Sequence, residues 1–442
     1  MNKKIAVIGS GISGLSAAWA LRDTADVTLY EKADRLGGHA HTVDIEIGGA
    51  TLPVDVGFIV ANPLNYPNFM AFMESLCVET IQSDMSFSVS DPNGYEWSSN
   101  PGGLFAQKRN LFRLSYLKLL QEILKFNETA RRDADADNVP IGMSLGQYLD
   151  GLNATERFRT NYILPMGAAI WSTPEAKMLD YPARSFLNFF NNHRLLHTER
   201  PKWRTVRDGS ISYVREIAKD LGDRVLLGKE VRQIRKTRDF IEVWTDDGET
   251  MFDEVILACH ADEARELLGD GYEHQKSILS DIHFIDNTAY LHSDPSLMPK
   301  RKAAWASWNV LKSGQKAVSL TYWMNKLQKL KTDTPVFVTL NPSHAPAADK
   351  LYQTFEFTHP AFDLAMNDAR DLLERANGRN GLWFAGAWLG HGFHEDGLKS
   401  GLRVALELGG RIPWTPVGIA PFPKVDEETN FSTVENITAA AQ

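Results

Sequence analysis

Three glycines near the N-terminus have the spacing of a dinucleotide-binding turn. Gly9, Gly11 and Gly14 form the pattern G-x-G-x-x-G. The first glycine permits a tight turn, the second lets the backbone approach a pyrophosphate, and the third lets a helix pack closely on a strand. Ile12 and Ser13 would open that helix, whose free N–H groups and positive dipole end attract phosphate. All five residues are therefore candidates for binding a nucleotide.

The surrounding sequence predicts the elements that must position this turn. Lys4–Ile8 is a short β-branched run typical of a buried parallel strand, residues 15–21 have a helical composition, and residues 27–30 form a second strand. Glu31 ends that strand, and an acid there accepts hydrogen bonds from ribose hydroxyls. Residues 5–31 are therefore predicted to form a βαβ unit.

The residues after this acid distinguish FAD from NAD. Glu31, Arg35, Gly37 and Gly38 form the pattern E-x-x-x-R-x-G-G. The paired glycines let a second loop close over the phosphates, and Arg35 adds positive charge. The pattern resembles the FAD-binding motif of the flavin amine oxidase superfamily, which includes amine oxidases, protoporphyrinogen oxidase and carotenoid desaturases. The resemblance implies that FAD is the cofactor.

Further segments resemble the superfamily in the same order along the chain. Residues 54–57 are similar to its D-x-G segment near the flavin, and residues 203–221 to its G-G-x-x-x-L helix, with one glycine replaced. Val231 matches the residue whose backbone meets the adenine. The resemblance also implies cofactor contacts from Lys32 and from His39, a position that is often arginine in the superfamily.

Near the C-terminus, residues 384–386 and 395–397 resemble the superfamily's second flavin motif. The resemblance implies that Gly386, Glu395, Asp396 and Gly397 contact the cofactor. A helix that starts there would stabilise negative charge on the isoalloxazine. No cysteine occurs between 380 and 397, where some relatives attach FAD covalently, so non-covalent FAD is predicted.

The same region bears on the substrate. Amine oxidases tend to have a tyrosine where this chain has Phe393. Residues 390–397, with 304–309 and 321–328, resemble a bacterial subgroup of NAD/FAD-binding oxidoreductases associated with cyclopropane-fatty-acid-synthase-like methyltransferases. The resemblance implies hydride removal from a fatty acyl chain in an apolar pocket. The alternatives are a flavin amine oxidase, a flavin-dependent isomerase and a non-enzymatic flavin sensor.

The histidines His39, His292, His391 and His394 are candidate acid–base groups, and three side chains are preferred as catalytic residues. His391 and His394 titrate near neutral pH as free imidazoles, and the second flavin motif places them near the cofactor. Tyr322 is a further candidate, for which packing in the core is the alternative. A metal site of His391, His394 and Glu395 is not predicted, because neighbouring glycines oppose the helix that it would need.

Residues 102–132 combine positive charge with apolar side chains. They contain seven Lys and Arg residues and two Glu residues, which gives +5 within a chain of net charge −9. A basic amphipathic helix is typical of a membrane-surface element. The alternative is a core-packed helix with solvated charges. The first interpretation predicts a peripheral contact with the inner face of a membrane.

Composition narrows the class of protein. The 442 residues are 43% hydrophobic and 23% charged, which excludes collagen-like and wholly disordered chains. Two cysteines, Cys77 and Cys259, cannot form a disulfide framework and indicate a cytoplasmic protein. No run of 18 apolar residues predicts a membrane span, and the net negative charge argues against nucleic-acid binding.

The predicted fold class is α/β, with a discontinuous Rossmann-type FAD-binding domain interleaved with an α+β substrate-binding domain. The FAD-binding domain is predicted at 1–60, 206–265 and 379–412, and the substrate domain at 61–205 and 266–378. Residues 413–442 form a C-terminal tail that is predicted to be extended or disordered. The chain has no second G-x-G-x-x-G, so electrons are expected to pass from the substrate through the flavin to oxygen or another carrier.

Overall fold

The computed structural model describes residues 2–91, 94–100, 102–171, 175–197, 199, 201–312 and 318–423. Its strands are β1 (Lys4–Ile8), β2 (Asp26–Glu31), β3 (Thr42–Ile47), β4 (Ala50–Asp55), β5 (Thr80–Gln82), β6 (Phe87–Ser90), β7 (Glu96–Ser98), β8 (Arg204–Val206), β9 (Val225–Leu227), β10 (Val231–Lys236), β11 (Ile241–Thr245), β12 (Gly248–Phe252), β13 (Glu254–Leu257), β14 (Phe284–His292), β15 (Trp308–Lys312), β16 (Val318–Trp323), β17 (Phe337–Leu340), β18 (Leu351–Pro360) and β19 (Leu382–Phe384).

The α-helices are α1 (Ile12–Leu21), α2 (Pro67–Ser75), α3 (Leu114–Asp135), α4 (Leu145–Gly151), α5 (Glu156–Phe158), α6 (Leu164–Trp171), α7 (Glu175–Met178), α8 (Ala183–Asn192), α9 (Ile211–Leu221), α10 (Ala261–Leu267), α11 (Glu273–Leu279), α12 (Met324–Leu327), α13 (Leu364–Ala376) and α14 (His394–Glu407). Short 3-10 turns lie between them, and a π-helical turn, Arg159–Ile163, joins α5 to α6.

A five-stranded parallel sheet carries the N-terminal glycine motif. Its strand order is β19-β13-β1-β2-β9, so β1 lies at the centre with its apolar residues buried. Helix α1 is buried along its whole length and packs against α14. The predicted βαβ unit is confirmed, and so is the predicted α/β class with a Rossmann-type parallel sheet.

A seven-stranded sheet forms the second large layer, in the order β18-β14-β17-β16-β15-β6-β7. Its strands pair antiparallel except where β15 meets β6. One face carries apolar side chains that pack in two core clusters. The other face buries hydrogen-bonded polar side chains, among them His292, Asn309, Thr321 and Thr339. One side of this sheet is therefore an apolar surface.

One predicted strand is divided in the structure. The sequence suggests a single strand over 224–234, but β9 ends at Leu227 in the parallel sheet and β10 starts at Val231 in a separate three-stranded sheet. The chain turns at Gly228, whose φ is +62°. Glycine adopts this left-handed conformation without the steric cost that other residues meet.

The C-terminal segment is irregular, and some of its apolar side chains, the last of them Phe422, pack against the core around the parallel sheet. Trp414 stacks on Trp19 with ring centroids 6.1 Å apart, and Arg403 lies over the ring of Phe422 at 3.9 Å. Residues 424–442 of the predicted tail lie outside the described residues. The domain boundaries stay a prediction, although the parallel sheet takes its strands from 4–31, 225–257 and 382–384.

Candidate flavin site

In the glycine-rich loop between β1 and α1, two of the three glycines are tightly packed and the middle one borders open space. A Cβ at Gly9 would lie 2.8 Å from the carbonyl oxygen of Ala258, and a Cβ at Gly14 would lie 1.9 Å from that of Gly9. A Cβ at Gly11 would meet no atom within 4 Å. The first and last glycines are therefore needed for packing, whereas the middle one borders free space at the N-terminus of α1.

A second loop rests on the first. Gly37 donates a backbone hydrogen bond of 3.0 Å to the carbonyl oxygen of Ser10. A Cβ at Gly38 would lie 3.0 Å from the Cα of Gly11, so the two loops touch through their glycines. The paired glycines therefore bring the second loop against the first, and its closing over phosphates stays a prediction.

Glu31 faces the same loop from the end of β2. Its Oε2 accepts hydrogen bonds from the backbone N–H and the hydroxyl of Ser10, at 2.9 and 2.6 Å. Its Oε1 accepts one from the N–H of Ala33 at 2.9 Å. The carboxylate is thus held in one orientation, and Oε1 can still accept a ribose hydroxyl.

Arg35 has the environment expected of a group that binds phosphate. Its guanidinium is half-buried and donates to the carbonyl oxygen of Gly38 at 3.0 Å. Burial lowers its pKa, and it forms no salt bridge with any residue that the structure describes. A half-buried cation with unused N–H donors beside this loop fits a pyrophosphate. Lys32 differs, because it is exposed and pairs with Glu263 at 2.5 Å.

His39 follows the paired glycines and is partly buried. Its Nε2 is buried and has no hydrogen-bond partner among the described residues, which is rare unless a ligand or water supplies one. Its ring centroid lies 5.3 Å from that of Phe357, 5.5 Å from that of His359 and 5.8 Å from that of His260. Burial and the neighbouring imidazoles lower the pKa of His39 well below its usual range, so the ring is neutral.

Two carboxylates of the second flavin motif bind backbone groups of the protein itself. Asp396 accepts hydrogen bonds from the N–H groups of His391 and Phe393, both at 3.1 Å, ahead of α14. Glu395 reaches the start of α2, where it accepts from the backbone and amide N–H of Asn68 and from the N–H of Phe69, at 2.7 to 3.0 Å. Their side chains therefore support helix ends.

The glycines of the same motif bring α14 against α1. A Cβ at Gly397 would lie 2.8 Å from Cγ2 of Ile12 and 3.0 Å from Oγ of Ser13. Gly386 donates its backbone N–H to Oγ of Ser400 at 3.0 Å, which holds the end of β19 to α14. Both flavin motifs thus meet at the first turn of α1. Val231 is buried at the start of β10.

The three candidate catalytic residues have separate surroundings. His394 stacks on Phe58 at 3.7 Å, and its Nε2 shares a hydrogen bond of 2.7 Å with the hydroxyl of Tyr213. Burial lowers the pKa of His394 to about 3, so its ring is neutral. His391 is exposed. Tyr322 packs edge-on to Trp308 at 5.0 Å, and burial raises its pKa.

Asp55 has a larger structural role than its sequence motif indicates. It is 1% exposed and accepts hydrogen bonds from the hydroxyl of Thr42 (2.6 Å), the backbone and hydroxyl of Ser210 (2.9 and 2.8 Å) and the amide of Gln328 (2.9 Å). These partners come from three distant segments of the chain. The D-x-G pattern singles out Asp55 in the sequence but does not indicate which residues donate hydrogen bonds to it.

We expect Asp55→Ala to lower the free energy of unfolding by about 3 kcal/mol, because buried donors on Ser210 and Gln328 lose their acceptor. Asp44→Ala is the matched control, since Asp44 is exposed on the same hairpin. Urea unfolding of both variants measures the difference. Equal stabilities of the two variants would contradict the role of Asp55 as a tie between segments.

The sequence and structure both match known flavoproteins. A model of flavin containing amine oxidoreductases matches residues 12–281, more than half of the chain. The chain belongs to this family. It is an FAD-dependent oxidoreductase with a Rossmann-type FAD-binding fold, as the glycine loops and Glu31 predict.

Individual relatives of this flavoenzyme differ in their substrates. Coproporphyrinogen III oxidase from Mycobacterium tuberculosis (strain ATCC 25618 / H37Rv) is 47% identical over 64 residues, a match that spans 13% of each chain. Wild-type putrescine oxidase bound to putrescine superposes with a TM-score of 0.67 and 16% identity, over 93% of this chain and 100% of its own. A fatty acid isomerase from P. acnes superposes with a TM-score of 0.63 and 15% identity, over 90% and 97%. The two structural likenesses show the fold alone.

Among the described residues, no helix is both long and apolar enough to cross a membrane.

Proposed function

We propose that the cofactor is held non-covalently, with its pyrophosphate at Gly11, Ile12 and Ser13. The open space at Gly11 and the N-terminus of α1 support this placement. Glu31 would bind the adenosine ribose, and Arg35 would neutralise phosphate charge. The unpartnered Nε2 of the neutral His39 would hydrogen-bond a polar group of the cofactor. Cys259 lies beside the loop at Gly9, but no cysteine occurs between residues 380 and 397, which supports non-covalent binding.

We further propose that the substrate is an apolar fatty acyl chain. When bound, the flavin supplies a two-electron acceptor for hydride. The observation that supports this substrate is a band of partly buried apolar side chains on the seven-stranded sheet: Trp308, Tyr322, Leu340 and Phe357. The band reaches the cofactor loops, because the ring of Phe357 lies 5.3 Å from that of His39. A long apolar ligand fits such a surface.

Two histidines beside this band, His39 and His41, are neutral, which also favours an uncharged reacting carbon chain. Burial lowers the pKa of His41 to about 4 and that of His39 well below its usual range. His41 lies 5.2 Å from the ring of Phe355, next to the band. An ammonium group placed here would have no charge partner from these imidazoles, and burying an unpaired charge is costly.

The aromatic pair near α14 also differs from the tyrosine expected of an amine oxidase. Phe393 stacks on Phe189 at 4.8 Å, with the planes at 20°. Two phenyl groups present an apolar surface without hydroxyls. We also propose that the chain belongs to the bacterial subgroup associated with cyclopropane-fatty-acid-synthase-like methyltransferases, as an acyl substrate would imply. The likeness in fold to a fatty acid isomerase is compatible with it.

Anaerobic reduction of the purified holoenzyme tests the substrate class. We expect long-chain fatty acids to bleach the flavin absorbance, and putrescine and cyclohexylamine to leave it unchanged. Reduction by the amines but not by the fatty acids would replace the acyl proposal with amine oxidation. Double-bond migration without net flavin reduction would indicate an isomerase. A flavin that no substrate affects would favour a sensor.

Two variants separate packing from chemistry at the band. Leu340→Asp places a charge in the band and is expected to raise the fatty acid concentration needed for half-maximal reduction by more than about tenfold. Tyr322→Phe keeps the ring and removes only the hydroxyl. An unchanged rate of reduction in Tyr322→Phe would show that Tyr322 packs against substrate without transferring a proton, whereas a large loss would support a role for its hydroxyl in proton transfer.

A further inference from the structure

Helix α3 has two apolar faces, and the residues that the structure describes cover only one of them. Its inner face buries Tyr116, Leu119, Phe126 and Ala130 in the helical core cluster. This confirms core packing for that side of the helix.

The outer face is apolar as well. Leu114, Leu117 and Leu124 are 76%, 38% and 63% exposed, and Phe112, on the turn that leads into the helix, is 88% exposed. At about 100° per residue, the three leucines lie within one arc of about 80°. Four large apolar side chains exposed together are unusual in a protein that has no partner for them.

Basic residues surround these side chains. Lys108, Arg109 and Arg113 are exposed beside Phe112, and Lys118 and Lys125 are exposed beside the leucines of α3. None of the five forms a salt bridge with a residue that the structure describes. The four apolar and five basic side chains are called the docking face below.

The acidic residues of the segment leave the docking face positive. Glu122 is turned towards α5, where it accepts hydrogen bonds from the N–H and hydroxyl of Thr155 at 2.7 and 2.6 Å. Glu128 is exposed one turn after Leu124 in the same arc, so it offsets one of the five positive charges. The concentration of positive charge contrasts with the net charge of −9 for the whole chain.

We propose that the docking face binds reversibly to the surface of an anionic lipid bilayer. Apolar side chains would enter the boundary between headgroups and acyl chains, while the lysines and arginines would contact lipid phosphates. Charge complementarity selects this partner: an anionic surface satisfies five unpaired cations, whereas a second copy of the same face would repel them. The inference is independent of the proposed substrate.

Vesicle sedimentation of the full-length holoenzyme tests the proposal. We expect the enzyme to sediment with vesicles of phosphatidylglycerol and phosphatidylcholine, to remain in solution with phosphatidylcholine alone, and to be released from the anionic vesicles by high salt. Failure to bind the anionic vesicles, or equal binding to both kinds, would overturn it.

Paired variants identify the surface. The double variant Phe112→Ser with Leu114→Ser is expected to weaken vesicle binding more than about tenfold. The double variant Lys118→Glu with Lys125→Glu is expected to weaken vesicle binding and to make the remaining binding less dependent on salt. The control is Phe240→Ser with Met251→Ser, an apolar pair that is 45% and 40% exposed on the three-stranded-sheet side. Flavin content and thermal midpoint show that each variant is folded.

Two results would reject the docking face. One is equal loss of vesicle binding in the control and docking-face variants. The other is a wild-type dimer that Phe112→Ser with Leu114→Ser converts to a monomer, because the face would then be a contact between copies of this chain.

Discussion

Gly11→Val is expected to fold normally and to purify without flavin. A Cβ at Gly11 would meet no protein atom within 4 Å, and the backbone there has a φ of −64°, which valine adopts freely. The added side chain would instead occupy the space that we assign to the pyrophosphate. Flavin absorbance per polypeptide should fall to the baseline, while the thermal midpoint should match that of wild-type protein stripped of its flavin.

Gly14→Val is the matched variant, and its defect should be different. Its Cβ would lie 1.9 Å from the carbonyl oxygen of Gly9, in the contact between α1 and the loop. We expect a loss of stability of about 3 kcal/mol or more, measured on the flavin-free protein, because the helix must move away from the strand. If Gly11→Val retains full flavin, or if both variants are equally unstable, the placement of the pyrophosphate is wrong.

The glycine loops show which part of the site can be predicted from sequence. Tight turns and close contacts between backbone segments restrict the residue types at a few neighbouring positions. The spacing of Gly9, Gly14 and Gly38 is therefore enough to identify the two glycine loops. The same is true of Glu31, which ends the strand next to the loop. Local requirements of this kind give signals that do not depend on the rest of the fold.

The carboxylates of the second motif show what sequence reasoning could not determine. Glu395 binds Asn68 and Phe69, which are more than 300 positions earlier in the chain. Nothing near Glu395 in sequence indicates that partner, because the contact exists only once α2 and α14 are packed together. The placement of His394 between Phe58 and Tyr213 depends on tertiary packing in the same way.

The outer face of α3 is an intermediate case. Its amphipathic pattern and charge were readable in the sequence and left two interpretations, a core helix or a surface element. The structure shows that one helix can satisfy the first description on one side and leave apolar residues exposed on the other. The pattern alone could not separate these sides, because apolar residues occur on both.

Acidification is expected to destabilise the protein well before its exposed carboxylates are protonated. Burial lowers the pKa of His193, His292 and His359 to about 4 and that of His394 to about 3. In the unfolded chain these imidazoles titrate near 6.5, so between pH 6.5 and about 4 the unfolded state binds more protons. Stability is then lost as the pH falls, by up to about 1.4 kcal/mol per pH unit for each histidine.

Two buried carboxyl groups oppose this effect but are outnumbered. Burial raises the pKa of Asp55 to about 6 and that of Glu395 to about 7. A raised carboxyl pKa means that the folded state binds the extra proton, so these two groups add stability as the pH falls below 7. His39 and His41 also have lowered pKa values, so at least six histidines outweigh these acids, and we expect a net loss of stability between pH 6.5 and 5.

His394→Phe isolates one of these protons. The phenyl ring can keep the stacking on Phe58 but cannot bind the hydroxyl of Tyr213, so the variant should be less stable than wild type at pH 7.5. Because only the wild type gains a titrating imidazole on unfolding, that deficit should shrink by about 1.4 kcal/mol per pH unit below 6.5.

Urea unfolding of wild type and variant at about pH 7.5, 6 and 5 measures how the difference in their free energies of unfolding changes with pH. His344→Phe, at an exposed histidine, is the control. A deficit in His394→Phe that stays constant or widens on acidification would show that His394 carries its proton in the folded protein, and would restore it as a candidate acid.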